Sequence, residues 1–172
     1  NEELRLLGEK QLAQSEANLK RAQQLAHVGH WQLSFANGIS VWSDEACRIY
    51  GLQPEDNTHT FEAWQSFVHP DDRRAVTDII QQGQQSLSNY SLEHRIVRRD
   101  GTVRYLQSET TFEFDAHNKP AGLYGVLHDI TDIKLQQEAI RKSEANLSAI
   151  IENTDAFIYS LDRNLKCLTY NS

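Results

Sequence analysis

Seven histidines, two cysteines and an alternating row of carboxylates are the side chains of this 172-residue sequence with the chemistry to ligate a metal or move protons. A metal site needs several such ligands converging. His27 and His30 stand three apart, but the helix predicted over the first 27 residues ends between them, so the spacing does not bring them to one face. His69 precedes Pro70-Asp71-Asp72, where a helix cap belongs. Cys47 and Cys167 are too few for a four-cysteine zinc site or a disulfide framework. Glu109, Glu113 and Asp115 share one strand face by period-two alternation. Paired carboxylates do acid–base work in some enzymes, but here they read as the solvated or partner-facing side of a sheet. The sequence has no G-x-S-x-G elbow, phosphate-binding glycine loop, H-E-x-x-H motif or dinucleotide fingerprint. No residue is assigned a catalytic or metal-binding role, and the expectation is a non-enzymatic segment.

With 39% hydrophobic and 24% charged residues the chain can build a core, which argues against disorder. Seventeen basic against twenty-four acidic residues give a net charge of −7. No basic run is dense enough to track a phosphate backbone, so no nucleic-acid partner is expected. No apolar stretch approaches the roughly 18–20 residues of a membrane span. A repeat is more informative. Ser15-Glu16-Ala17-Asn18-Leu19 recurs 128 residues later as Ser143-Glu144-Ala145-Asn146-Leu147, and the same offset pairs Trp31 with Tyr159, Leu33 with Leu161 and Trp42 with Tyr170. The pattern reads as one complete unit and the opening of a second, the whole cut from something longer.

The elements follow from local pattern. Residues 1–27 lack proline and are rich in helix formers. Leu12, Ser15, Leu19, Ala22 and Ala26 fall at heptad spacing, as do Ile133, Ile140 and Leu147 in a second helix after Asp132. Two readings stay open: helices packed on their own domain, or a marginal parallel coiled coil between two subunits. Between the helices, His30–Ala36 and Ile39–Ser43 alternate as strands around a predicted two-residue turn at Asn37-Gly38. Ser43 or Asp44 caps a short helix that Gly51 stops at Tyr50. Pro54 to Thr60 reads as loop, Phe61–Val68 and the segment from His69 to about Gln85 as helices. Tyr90–Arg98, Val103–Phe114 and Gly122–Asp129 read as strands. Hairpin connections make the sheet antiparallel, in an α+β fold with five strands and short helices on one face.

Three strings in order then resemble the PAS domain family. Phe67-Val68-His69-Pro70-Asp71-Asp72-Arg73 looks like its helix start, and Glu93 to Thr102 (EHRIVRRDGT) like its third strand and turn. Gly125-Val126-Leu127-His128-Asp129-Ile130-Thr131-Asp132 looks like its closing G-x-x-x-D-I-T signature. The resemblance covers about Gln24 to Gln136 and implies strand order 2-1-5-4-3. It divides the chain into a linker helix over 1–27, a sensor domain over 28–131, a second linker helix over 132–152, and the first hairpin of a second PAS domain over 153–172.

The resemblance also implies where to look for function. It turns His94, Ile96, Leu106, Ser108 and Leu127 inward from the sheet, facing Ile49, Tyr50, Phe67 and Ile79 from the helices. Packed core is one reading of that interior. A pocket of roughly 300 Å3 or more for a small metabolite is the other, with His94 bonded to Ser108 or to the ligand. The cofactor is unknown. The family's light-sensing flavin members carry a reactive cysteine in an N-C-R-F-L-Q string absent here, and its haem members carry a histidine on the long helix, where Asp71–Gln85 has none. Haem and a covalently photoactive flavin are therefore not expected. Asp129 and Thr131 are the expected relay residues between sheet and outgoing helix. Leu12, Leu19, Ile133, Ile140 and Leu147 are the expected seam of a homodimer. The implied function is a cytoplasmic sensory relay covalently linked to an output domain, most simply that of a histidine kinase. The alternative is a dimerisation or docking module without ligand, in a diguanylate cyclase or other signalling protein.

Overall fold

A computed structural model describes residues 2–152, 159–161 and 167–170. The chain forms two compact units, Asn1–Thr131 and Asp132–Ser172. In the first, helix α1 (Glu2–Leu25) leads into β1 (Val28–Ser34) and β2 (Ile39–Trp42). Next come α2 (Asp44–Tyr50), β3 (Thr58–Thr60), α3 (Phe61–Phe67), a 3-10 turn at Pro70–Asp72 and α4 (Arg73–Ser86). Strands β4 (Tyr90–Val97), β5 (Val103–Phe114) and β6 (Pro120–Asp129) close the unit.

The sheet runs β3-β2-β1-β6-β5-β4, with every pairing antiparallel. The five long strands keep the expected order. The sixth is a correction: the segment Pro54–Thr60, read as loop, holds β3, whose Thr58, His59 and Thr60 pair with Val41, Ser40 and Ile39. Two β-branched threonines suit an edge strand, but three residues after a proline give too short a pattern to read. The first hairpin is also wider than expected. Ser34 pairs with Ile39, so the loop is the four residues Phe35–Gly38. Gly38 takes φ 68° there, and Asn37 Oδ1 accepts from the Ile39 amide at 2.9 Å.

Local chemistry fixes the helices. Ser43 Oγ accepts from the Ala46 amide at 3.2 Å and from the His30 amide at 3.0 Å, so one hydroxyl caps α2 and ties it to β1. Gly51 ends α2 at φ 74°. His69 Nδ1 accepts from the Asp71 amide at 3.3 Å, which is the capping role its position predicts. Asp72 then fastens the start of α4 to β4. Its carboxylate accepts from the Arg95 amide at 2.8 Å and from the Arg95 guanidinium at 3.0 and 2.6 Å. That bonding holds the Asp72 carboxyl below the usual carboxylate range.

The core lies between the helices and one face of the sheet. Ile49, Tyr50, Phe67, Ile96, Leu106 and Leu127 are buried together there. Val68, Val76, Ile80 and Leu92 form an adjoining aliphatic cluster under α4. The second unit contains α5 (Thr131–Glu152) beyond its first residue, and a short antiparallel pair, β7 (Tyr159–Leu161) and β8 (Cys167–Tyr170). Phe157 and Lys166, also expected in that hairpin, lie outside the described residues.

Candidate functional site

Alternation along β1 and β2 turns Trp31, Leu33, Ser40 and Trp42 toward the helices. Trp31 sits opposite Gly125 in the register of β1 and β6. A Cβ at Gly125 would lie 2.1 Å from the Trp31 ring, so only glycine lets the indole lie across β6. From the other side α3 supplies Trp64, whose Nε1 donates to the Tyr50 hydroxyl of α2 at 2.9 Å. Trp42 Nε1 donates to Ser40 Oγ at 2.9 Å. Burial raises the Tyr50 phenol pKa well above its ordinary value, with the Trp64 bond opposing weakly.

These rings border a partly open hollow of about 70 Å3. At ~30 Å3 per water it has room for roughly two waters or one small ring, well below the pocket of the sequence-based expectation. Trp31, Trp42 and Trp64 are among the residues that line it. Tyr50, His94, Ser108 and Leu127 of the expected residues line the hollow. Ile49, Phe67, Ile96 and Leu106 do not line it; they pack in the buried cluster beside it. Ile79 sits half-buried against the aliphatic cluster. The lining that inspection of the sequence missed includes five aromatic rings: Trp31, Trp42, Phe61, Trp64 and Tyr90. The alternation HWQLS and ISVW carried that signal for β1 and β2.

His94 is the polar centre of the hollow. It is 4% exposed, and neither ring nitrogen has a hydrogen-bond partner. The expected bond to Ser108 is not made. His94 pairs across the ladder with Leu106 and Ser108 with Leu92, so the two are diagonal neighbours, roughly 7–8 Å apart at the backbone. Trp64 meets the imidazole edge-on, with ring centroids 6.1 Å apart. Burial lowers the His94 pKa to about 4, against a weaker upward pull from the Asp72 carboxylate. The ring is neutral at pH 7, with one donor and one acceptor to offer.

Two tethers run from this site to the ends of the unit. Leu127 lines the hollow, and Asp129 follows two residues on. Asp129 Oδ1 accepts from the Thr131 amide at 3.0 Å and from its hydroxyl, while Arg104 lies 3.8 Å from Oδ2. Thr131 Oγ1 accepts in turn from the Tyr105 amide at 2.9 Å, and the Asp129 amide donates to the His27 carbonyl at 3.1 Å. On the other side Tyr50 belongs to α2, whose first residue, Asp44, pairs with Lys20 of α1 at 2.5 Å. Lys20 holds the Asp44 carboxyl below its ordinary range. Leu12 and Leu19 are exposed on α1, and Ile133, Ile140 and Leu147 on α5. Glu109 and Asp115 are exposed; Glu113 accepts from Gln32 Nε2 at 2.8 Å. Among the described residues no group of three or more His, Cys, Asp or Glu is placed to hold a metal ion. Nor is any helix there long and apolar enough to cross a membrane.

An antiparallel sheet curled over short helices around an aromatic hollow, with a helix at either end, is the architecture of a sensory module. The chain belongs to the PAS fold family, which matches residues 39–127. It is 30% identical to a blue-light-activated histidine kinase of Brucella ovis, over 92% of this chain and 32% of that protein. It is 23% identical to a probable diguanylate cyclase of Escherichia coli K12, DgcE, over 87% of this chain and 13% of that protein. The chain thus spans at most about a third of these relatives. A sensory box histidine kinase/response regulator from Burkholderia thailandensis superposes with a TM-score of 0.61 at 25% identity, over 76% of this chain and 98% of the solved one. The chain is a sensory signalling module, not a catalytic domain. One expectation needs correction here. The exclusion of a photoactive flavin is not supported, because a relative at this similarity is named for blue-light activation.

Proposed function

We propose that this PAS domain is a ligand-sensing relay of a cytoplasmic multidomain protein whose output is a histidine kinase or a diguanylate cyclase. The carrying observation is His94: a buried imidazole with two unpartnered nitrogens, lining a hollow. An unsatisfied buried polar group costs stability, and an occupant able to bond it would remove that cost. The linker helices are 1–27 and 132–152, the sensor is 28–131, and 153–172 begins a second domain. Occupancy moves Leu127 and Tyr50, and with them the Asp129–Thr131 junction and the α2 grip on α1. Helices with Leu12, Leu19, Ile133, Ile140 and Leu147 on their surfaces pass that bias on through a weak homodimer, because a relay must switch between packings of similar free energy. A flavin is one class of occupant; its ring system exceeds a hollow of about 70 Å3 and would displace an indole.

His94→Phe mimics permanent occupancy and tests the relay in this chain. Hydrogen exchange at the His27, Val28 and Asp129–Thr131 amides should change at least fivefold, with β4 and β5 still protected. Unchanged exchange at both ends would refute the coupling. The second reading, a docking module without ligand, draws support from the small size of the hollow, about 70 Å3, and that result would favour it.

A further inference from the structure

Resting on the reading of the hollow as a sensing site, we infer that it selects a small uncharged heteroaromatic molecule bearing a ring N–H donor and a ring nitrogen acceptor, bonded to His94. The walls decide charge first. No Lys, Arg, Asp or Glu lines the hollow, so an anion such as a carboxylate or phosphate would be buried without a countercharge. Three indoles would suit a quaternary ammonium by cation–π attraction, but such a cation has no N–H and no lone pair. It would leave both nitrogens of His94 unpartnered, as they now are. A purely apolar guest has the same defect. A neutral azole-type ring answers each feature: its faces stack between Trp31, Trp42 and Trp64, and its edge gives the imidazole a donor or an acceptor. Ser108 and Thr110 on β5 place hydroxyls on the same wall. A single azole ring matches the hollow as it stands, and a fused bicyclic guest such as indazole enters by displacing an indole.

Four probes of similar shape test this on the chain: indazole, its apolar counterpart indene, benzoate, and trimethylphenylammonium. Binding is read from tryptophan fluorescence and from the His94 imidazole signals by NMR. Indazole should bind at least tenfold tighter than indene, shift the His94 ring nitrogens, and outcompete both ions. In His94→Leu, checked for an intact sheet by circular dichroism, indazole and indene should bind alike. Equal binding of indene to the unsubstituted chain, preference for either ion, or no binding by any probe overturns the assignment. If an ion binds best and also alters exchange at Asp129–Thr131, the ligand class fails while the relay stands. If indazole binds as expected with no change there, the relay fails while the class stands.

Discussion

Three consecutive residues of β4 meet three different fates. Arg95, on the outer side, directs its guanidinium to Asp72 through two hydrogen bonds and adds a third from its own amide, pinning α4 to the sheet. Ile96, on the inner side, is 0% exposed among Tyr50, Phe67 and Leu106. His94, two residues earlier on that inner side, is as buried as its aliphatic neighbours and yet bonded to nothing. Burial alone therefore does not separate scaffold from site. Satisfaction does: the fold completes the polar contacts that hold it together and leaves this one open.

Truncating the scaffold member should have the largest effect. Ile96→Ala removes a fully enclosed side chain and should cost about 2–5 kcal/mol in denaturant unfolding. A loss under 0.5 kcal/mol would mean that this side of the sheet is as loosely packed as the hollow. His94→Leu should act in the opposite sense, raising stability by about 1–3 kcal/mol at pH 7 by deleting an unsatisfied polar group. Its pH dependence sharpens the point. The folded pKa of about 4 lies below the ordinary 6.5, so between those values the unfolded chain binds the proton that the folded one refuses. Stability of the unsubstituted chain then falls on acidification from pH 6.5 to 4, and the advantage of the leucine variant widens by up to about 3 kcal/mol. A parallel pair of curves would show that the imidazole has found a partner. Asp72→Asn should be the mildest change, with a lower Tm at pH 7 and a flatter acid limb. A carboxyl held below its ordinary pKa stabilises fully above the unfolded value near 3.9, and that contribution vanishes as pH falls through the folded one. An acid limb as steep as before would place the titration elsewhere.

Much of the scaffold was legible because single residues settle it. Ser43 caps, Gly51 stops, and the period-two runs assign the five long strands. The hollow was less legible for a physical reason. Alternation shows that His94, Ile96, Leu106 and Ser108 face inward, but whether an inward residue borders space or another side chain depends on what crosses from elsewhere. Trp31 crosses over Gly125, and Trp64 reaches Tyr50 from a helix 14 residues away in sequence. Neither is written in the local pattern of β4 or β5. Asp129 and Thr131 were singled out by their motif, and the structure bonds them to each other, with Arg104 3.8 Å from the Asp129 carboxylate.

The bond from the Asp129 amide to the His27 carbonyl has one further consequence. It brings the two ends of the folded segment within 3.1 Å of each other. A stretch of chain whose ends adjoin can be spliced into a gene, copied in place or lost again without forcing the flanking protein to span a gap. The return of Ser15–Leu19 as Ser143–Leu147 is the trace that one such copying event would leave. Lineages carrying this unit should accordingly differ in how many times it is present more readily than in how it is built.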